Sequence, residues 1–291
     1  MTAEVRAGTA EAPDGAVLCW RAEGRGQALL CSNGIGISTF FWRRLVEHFR
    51  PTHTVLTWDY RGHGRTPVPE HPEGVTVSQC ARDLWIVAER AGIAEAVLLG
   101  HSMGVQVSLE AYRLRPEGVR GLVPVLGAAG GVFTSFLGGT ALTPILTLLM
   151  EVAARNASLA EKALRAALRV PGLWQAIRTL GVVHPDLCPR EEFEPYVQHL
   201  LQLDLRAYFA LARDLLSHDA TALLPTVRVP TLVIAGERDL FTPAMRSREL
   251  ASQIPGAELL VVRGGSHAAL VEQPELINLA VEKFLRLHGI A

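Results

Sequence analysis

The stretch Ala96-Val97-Leu98-Leu99-Gly100-His101-Ser102-Met103-Gly104-Val105 decides the reading of this chain. Four apolar residues make a short run of strand type, residues 105–115 continue with helical character, and a G-x-S-x-G pentapeptide stands between them. A serine on a sharp strand-to-helix turn is held in strained backbone geometry, with glycines at 100 and 104 where a side chain would collide with neighbouring elements. Ser102 then projects above the sheet at the positive end of a helix, whose free N–H groups meet charge developing on a carbonyl oxygen. Ser102 is therefore the candidate nucleophile. The plainer alternative is that the glycines permit close strand–helix packing and Ser102 caps the helix. His101 is expected to point away from the nucleophile and to be structural.

Outward from this point, short apolar runs alternate with longer helical patterns, which implies an α/β fold with a mostly parallel sheet and helices on both faces. Residues 28–31, 54–58, 96–99, 121–126, 230–235 and 258–262 read as strands. Residues 78–91 read as a helix behind a capping-type Ser78, and another helix begins after Pro274. Residues 128–217 show Leu/Ala-rich helical patterns and no strand. They are expected to form a helical cap inserted into a core built from 1–127 and 218–291.

A serine hydroxyl is a weak nucleophile until a base takes its proton, and imidazole suits that task near neutral pH. Of the ten histidines, His267 stands in Gly264-Gly265-Ser266-His267, directly after the last strand, where a loop at the carboxyl edge of the sheet reaches over Ser102. His63, in Asp59-Tyr60-Arg61-Gly62-His63-Gly64-Arg65, is the rival. Only His267 completes the chain order serine, acid, histidine. The acid should follow a strand and orient the imidazole, and Asp239 in the exit loop after residues 232–236 fits. Glu237, two residues earlier, is the alternative. Residues 121–150 carry no carboxylate, so no acid can follow the preceding strand. For the oxyanion, the backbone N–H groups of Met103 and of Ile35, in Ser32-Asn33-Gly34-Ile35-Gly36, are the expected donors.

Composition narrows the partners. With 28 Lys+Arg against 29 Asp+Glu the formal charge is −1, which gives no electrostatic reason to expect a nucleic acid. Cys19, Cys31, Cys80 and Cys188 are scattered and form no CxxC pair, so neither a disulfide framework nor a zinc site is expected. The N-terminal stretch does not resemble a signal peptide, and a cytoplasmic protein is expected. Residues 121–150 are uncharged over the length of a membrane span, but Pro124, Gly127, Gly130, Gly131, Gly138, Gly139 and Pro144 break them into pieces too short to cross as one helix. A buried strand, a Gly-rich loop and an apolar helix are expected there instead, without membrane contact.

These segments together, Asn33-Gly34-Ile35-Gly36, the Asp59 to Arg65 turn, the Ser102 pentapeptide, Asp239 and Gly265-Ser266-His267, resemble the α/β-hydrolase fold family over nearly the whole chain. Members commonly carry His-Gly at the oxyanion loop. Asn33-Gly34 here is similar to the enol-lactonase and related branches, and the loop lacks the Gly-Gly-Gly form associated with bulky tertiary-alcohol esters. A serine nucleophile also separates the chain from the dehalogenases and epoxide hydrolases of this fold, which use a carboxylate.

The resemblance implies hydrolysis of a carboxylic ester, lactone or thioester through an acyl-serine: Ser102 attacks, His267 shuttles the proton, Asp239 orients His267, and Ile35 and Met103 hold the oxyanion. That chemistry calls for neither cofactor nor metal. The partner is expected to be a small hydrophobic molecule, because Val132, Phe133, Phe136, Leu137, Leu142, Ile145, Leu146, Leu148, Leu149 and Met150 could line an apolar pocket, or else merely pack the cap. Carbon–carbon bond hydrolysis, perhydrolysis and a slow-turnover ligand receptor share the same residues. A proline-type peptidase would use an acidic anchor, for which Glu151, Glu161, Glu191, Glu192 and Glu194 are available.

Overall fold

Consecutive residues of a strand face opposite sides of a sheet, and here both sides are apolar. In the strand Ala28–Ser32, Leu29 and Cys31 enter one hydrophobic core while Leu30 enters the other. Both faces must therefore be covered. The computed structural model, which describes residues 4–131 and 156–290, contains one eight-stranded sheet: β1 (Val5–Glu11), β2 (Val17–Glu23), β3 (Ala28–Ser32), β4 (Thr54–Trp58), β5 (Ala96–His101), β6 (Val119–Val125), β7 (Leu232–Gly236) and β8 (Glu258–Val262). Their spatial order is β1-β2-β4-β3-β5-β6-β7-β8. From β4 to β8 every pairing is parallel, and β1 and β2 add an antiparallel edge.

Helices α1 (Arg43–Phe49), α2 (Val77–Arg90) and α3 (Met103–Leu114) follow β3, β4 and β5. Leu84, Val87, Val105 and Leu109 pack with Leu30, Leu56 and Leu98 on one face, whereas Leu45 and Phe49 pack with Leu29, Val55 and Val97 on the other. Between β6 and β7 the described residues form α4 (Ala157–Leu168), α5 (Leu173–Thr179), α6 (Arg190–Gln202) and α7 (Leu205–Ser217). The two ends of this excursion meet where the Ala220 N–H donates to Ala129 O at 2.9 Å. The chain closes with α8 (Ala244–Gln253), α9 (Ala269–Glu272) and α10 (Pro274–Leu287), the last burying Ile277, Val281 and Phe284 against the sheet. The apolar residues 132–150 and Glu151 lie outside the described residues. Among the described residues no helix is long and apolar enough to cross a membrane, and Gly121 to Val125 are buried in β6.

Two expectations need correction. Thr76, not Ser78, caps α2, its side chain accepting from the Gln79 N–H at 3.1 Å; the helix starts one residue before Ser78, so that side chain cannot be the cap. The β1–β2 hairpin is absent from the strand pattern read above. β1 has only one buried residue among its seven, so it carries little of the hydrophobic alternation that marks a strand.

The strand order positions the site. From β3 the chain moves outward to β4, then crosses back to place β5 on the other side of β3. The loops after β3 and β5 thus leave in opposite directions from adjacent strand ends, which opens a crevice at the carboxyl edge of the sheet.

Candidate active site

Ser102 lies at that crevice between β5 and α3, with φ 56° and ψ −119°. A non-glycine residue in this region is strained, and the surroundings hold it there. The close packing around it explains both flanking glycines. A Cβ on Gly100 would stand 2.1 Å from Gly104 O, and one on Gly104 would stand 2.2 Å from Ser32 O. Both obstacles are backbone atoms that no rotamer change can move. The tight turn leaves Met103 as the first residue of α3, one of the positions whose N–H groups have no intrahelical acceptor.

His267 Nε2 is 3.0 Å from Ser102 Oγ, and His267 Nδ1 is 2.8 Å from Asp239 Oδ2. The three residues named from sequence thus form one hydrogen-bonded chain, although 165 positions separate the serine from the histidine. With Asp239 accepting at Nδ1, the neutral imidazole leaves its Nε2 lone pair toward the serine hydroxyl. Asp239 is itself tightly held: its Oδ1 accepts the N–H groups of Phe241 and Thr242 at 2.8 and 2.9 Å. Thr242 Oγ1 sits 2.8 Å from Asp239 Oδ2 and 2.7 Å from Leu126 O. Burial alone would raise the Asp239 carboxyl, but the charge and hydrogen bond of His267 and the donors from Thr242 outweigh it and hold the group below its ordinary value.

The alternatives occupy other roles. Glu237 turns to the surface, where it accepts the Gly264 N–H at 2.8 Å. His63 is buried beneath the loop after β3: Nδ1 is 3.1 Å from Arg61 O, so it carries the proton, and Nε2 accepts the Gly36 N–H at 3.2 Å. Burial pushes His63 down to about 4, which keeps it in this neutral, bridging form. The turn that carries it is locked by Arg61, whose guanidinium meets Asp83 through Nε at 2.7 Å and Nη2 at 2.8 Å.

The loop after β3 places Ile35 in the wall of the same cavity as Ser102. Its own hydrogen bonds run from the Ile37 N–H to Gly34 O and from the Gly36 N–H to His63, leaving the Ile35 N–H without an acceptor among the described residues. Asn33 does not face the cavity. Its Nδ2 donates to Trp58 O at 2.7 Å and its Oδ1 accepts from Trp42 Nε1 at 2.9 Å. The residue that distinguishes this loop from the His-Gly form is thus a buried tie between β4 and Trp42, the residue before α1.

Several contributors have no sequence signature. His101 does not point wholly away as expected: it lines the cavity, and its Nε2 donates to the carbonyl oxygen of His267 at 3.0 Å. Burial, reinforced by His267, pushes it down to about 3. Glu272 is buried, and its carboxylate accepts Ser266 Oγ at 2.5 Å, the Ser266 N–H at 2.9 Å and the His184 N–H at 2.6 Å. It fastens the loop that carries His267 both to itself and to the segment between α5 and α6.

Above these residues lies a cavity of about 250 Å³, small beside the ~300–1,000 Å³ usual for drug-sized ligands. Ile37, Phe41, Val183, Phe193 and Leu215 give it an apolar wall, and no Lys, Arg, Asp or Glu is among its described lining residues. Glu161 and Glu192 instead pair with Arg165 and with Arg43 and Arg44. Among the described residues, no cluster of three or more His, Cys, Asp or Glu could hold a metal.

The model of the alpha/beta hydrolase family matches residues 29–280. In sequence the chain is 29% identical over 265 residues to a putative carbamate hydrolase RutD of Azorhizobium caulinodans, covering 90% of this chain and 92% of that one. In structure it is similar to a hydrolase from Pseudomonas aeruginosa PA01, with TM-score 0.74 and 25% identity over 96% of this chain and 98% of that one. It also shares the fold of the enol-lactonase from Burkholderia xenovorans LB400, with TM-score 0.74 and 22% identity over 96% and 100% of the two chains.

Proposed function

We propose that this chain, which belongs to the alpha/beta hydrolase family, is a serine hydrolase that cleaves a carboxylic ester, lactone or thioester through an acyl-serine. The observation that carries the reading is the continuous chain from Ser102 Oγ through His267 to Asp239, set on a strained turn at the crevice of the sheet. His267 Nε2 takes the hydroxyl proton as Ser102 Oγ attacks the substrate carbonyl. Negative charge gathers on the carbonyl oxygen, where the N–H groups of Met103 and Ile35 receive it. Asp239 holds the imidazole in the productive tautomer and balances its positive charge. Collapse breaks the bond to the leaving oxygen or sulfur, which takes the proton from His267. Water, deprotonated in turn by His267, then releases the acid and restores Ser102.

The small apolar cavity favours a short, uncharged acyl or alcohol group, since burying an unpaired charge there would be costly. The helical excursion between β6 and β7, read as a cap of residues 128–217, supplies Val183, Phe193 and Leu215 to that cavity. A second reading, hydrolysis of a carbamate, is favoured by the similarity to RutD. It needs the same attack at a carbonyl carbon, which in a carbamate bears a nitrogen as well as an oxygen, so that loss of the alcohol leaves a carbamoyl-serine for water to release.

A panel of p-nitrophenyl esters of graded chain length, lactones and alkyl carbamates tests both readings. Short esters or lactones should be hydrolysed fastest, a fluorophosphonate should label Ser102, and Ser102→Ala should lose both properties. Wild-type rates in Ser102→Ala would sink the assignment.

A further inference from the structure

Two phenols in the otherwise apolar cavity take no part in the chemistry described above. Tyr196 on α6 and Tyr208 on α7 both line it together with Ser102 and His267. The Tyr208 ring lies against the loop that carries Ile35: a Cβ added to Gly36 would be 3.1 Å from Tyr208 Cε2. The Tyr196 ring packs against Phe193, with centroids 5.2 Å apart, so both rings are fixed by their neighbours. A buried tyrosine hydroxyl normally finds a hydrogen-bond partner. Tyr112, packed away from the cavity, follows the rule by accepting the Arg228 N–H, and Tyr60 does so by donating to Asn33 O at 2.7 Å. Tyr196 and Tyr208 are half-buried, and their hydroxyls bond to no group among the described residues. Burial pushes both phenols up, and Tyr208 adds to the effect on Tyr196, so both remain neutral donors at any working pH.

We propose that Tyr196 and Tyr208 form a polar subsite that selects substrates carrying, besides the scissile carbonyl, a second uncharged oxygen able to accept a hydrogen bond. The inference rests on the serine-hydrolase reading and specifies its substrate class. An oxo- or hydroxy-substituted acyl group fits, because its second oxygen would accept from hydroxyls that bond to no described residue while its carbon skeleton occupies the apolar wall. A carboxylate does not fit, since the described lining offers no cation to offset its desolvation. The Tyr208 ring against the Gly36 turn puts the subsite beside the loop that carries Ile35. Sites that hydrogen-bond a substrate group discriminate strongly against analogues without it, because the site's own groups are then left unpaired.

The test compares p-nitrophenyl hexanoate with its 4-oxo and 5-oxo analogues and with the 5-carboxypentanoate ester. In the wild type, kcat/KM for one of the oxo esters should exceed that for hexanoate by about tenfold or more, and the carboxylate ester should be the poorest of the set. In the Tyr196→Phe/Tyr208→Phe double variant, the oxo-to-alkyl ratio should fall to about one. Equal kcat/KM for the oxo and alkyl esters in the wild type, or a preference that survives in the double variant, overturns the inference. The two layers separate cleanly. If esters are hydrolysed and Ser102 is labelled by fluorophosphonate but no oxo preference appears, the subsite alone is wrong. If neither hydrolysis nor labelling occurs, the catalytic reading fails and takes the subsite with it.

Discussion

Replacing Asp239 by Asn keeps the shape of the side chain and reverses one hydrogen bond, and the surroundings determine which way the amide must lie. Two backbone donors, the N–H groups of Phe241 and Thr242, point at Oδ1 from 2.8 and 2.9 Å. The amide oxygen must take that place, because the opposite orientation would set an NH₂ group against two N–H donors at about 1–3 kcal/mol each. The amide nitrogen then faces His267 Nδ1, where the carboxylate oxygen stood at 2.8 Å. A donor there requires Nδ1 to be the unprotonated nitrogen, so the proton moves to Nε2, and the imidazole confronts Ser102 as a donor instead of a base. The geometry is preserved and the tautomer is wrong. Such a change costs about 10³- to 10⁴-fold in kcat, or roughly 4–5.5 kcal/mol of transition-state stabilisation. The assay is kcat and KM on p-nitrophenyl butyrate at neutral pH, with a thermal melt to show that the fold is kept. KM should change little, because the cavity wall is untouched. A fall in kcat of less than tenfold in folded protein would refute the argument. Glu237→Gln is the matched control: Glu237 contacts the Gly264 N–H at the surface, and its kcat should stay within about threefold of wild type. A larger effect there than at Asp239 would exchange the two assignments.

Other consequences can be checked as directly. Gly100→Ala places a Cβ 2.1 Å from Gly104 O, so it should destabilise by about 2–3 kcal/mol or more and lower the melting temperature by roughly 3–5 °C or more; an unshifted melt would contradict the packing. Glu272→Gln keeps one acceptor oxygen where the carboxylate serves three donors from Ser266 and His184. The loop of His267 should loosen, with kcat falling more than KM changes and a stability loss of about 1–3 kcal/mol, read from turnover and urea unfolding; wild-type values for both would remove Glu272 from the positioning scheme. Acid should weaken the fold through His63 and His101, held at about 4 and about 3 by burial. The unfolded chain protonates these groups near ~6.5, so between pH 6.5 and 4 it binds more protons than the folded state, and stability falls as pH falls. Between pH 6.5 and 5 each histidine costs about 1.5 kcal/mol, the slope approaching ~1.36 per unit only once the unfolded imidazole is mostly protonated; urea unfolding at the two pH values that gave equal stability would count against buried neutral imidazoles.

The residues that sequence reasoning reached are those whose demands are local or ordered along the chain. Gly100, Ser102 and Gly104 announce themselves because one turn imposes all three: the backbone of Gly104 forbids a side chain at 100, and that of Ser32 forbids one at 104. Asp239 and His267 stand out by their arrival at the ends of successive strands, β7 and β8, a regularity of the topology. What stayed hidden works by contact between distant segments. His101 stands beside Ser102 in the sequence, but its place is fixed by a carbonyl 166 residues later, and no spacing in the sequence encodes that. Glu272 looks like an ordinary polar residue near the start of a helix until the fold brings the His184 N–H to it from 88 residues away. Asn33 carries the opposite lesson. Its difference from the usual His-Gly pair invited a functional explanation, but both ends of its amide are consumed in holding Trp42 and β4. The substitution therefore acts on substrate choice only through the position of the Gly34-Ile35 backbone. Side chains that do reach the cavity, Tyr196 and Tyr208 among them, come from helices whose apolar spacing reads as simple packing. Chemistry imposed by the backbone is written locally, whereas the cavity wall is completed by side chains that meet only after the excursion between β6 and β7 has packed against the crevice.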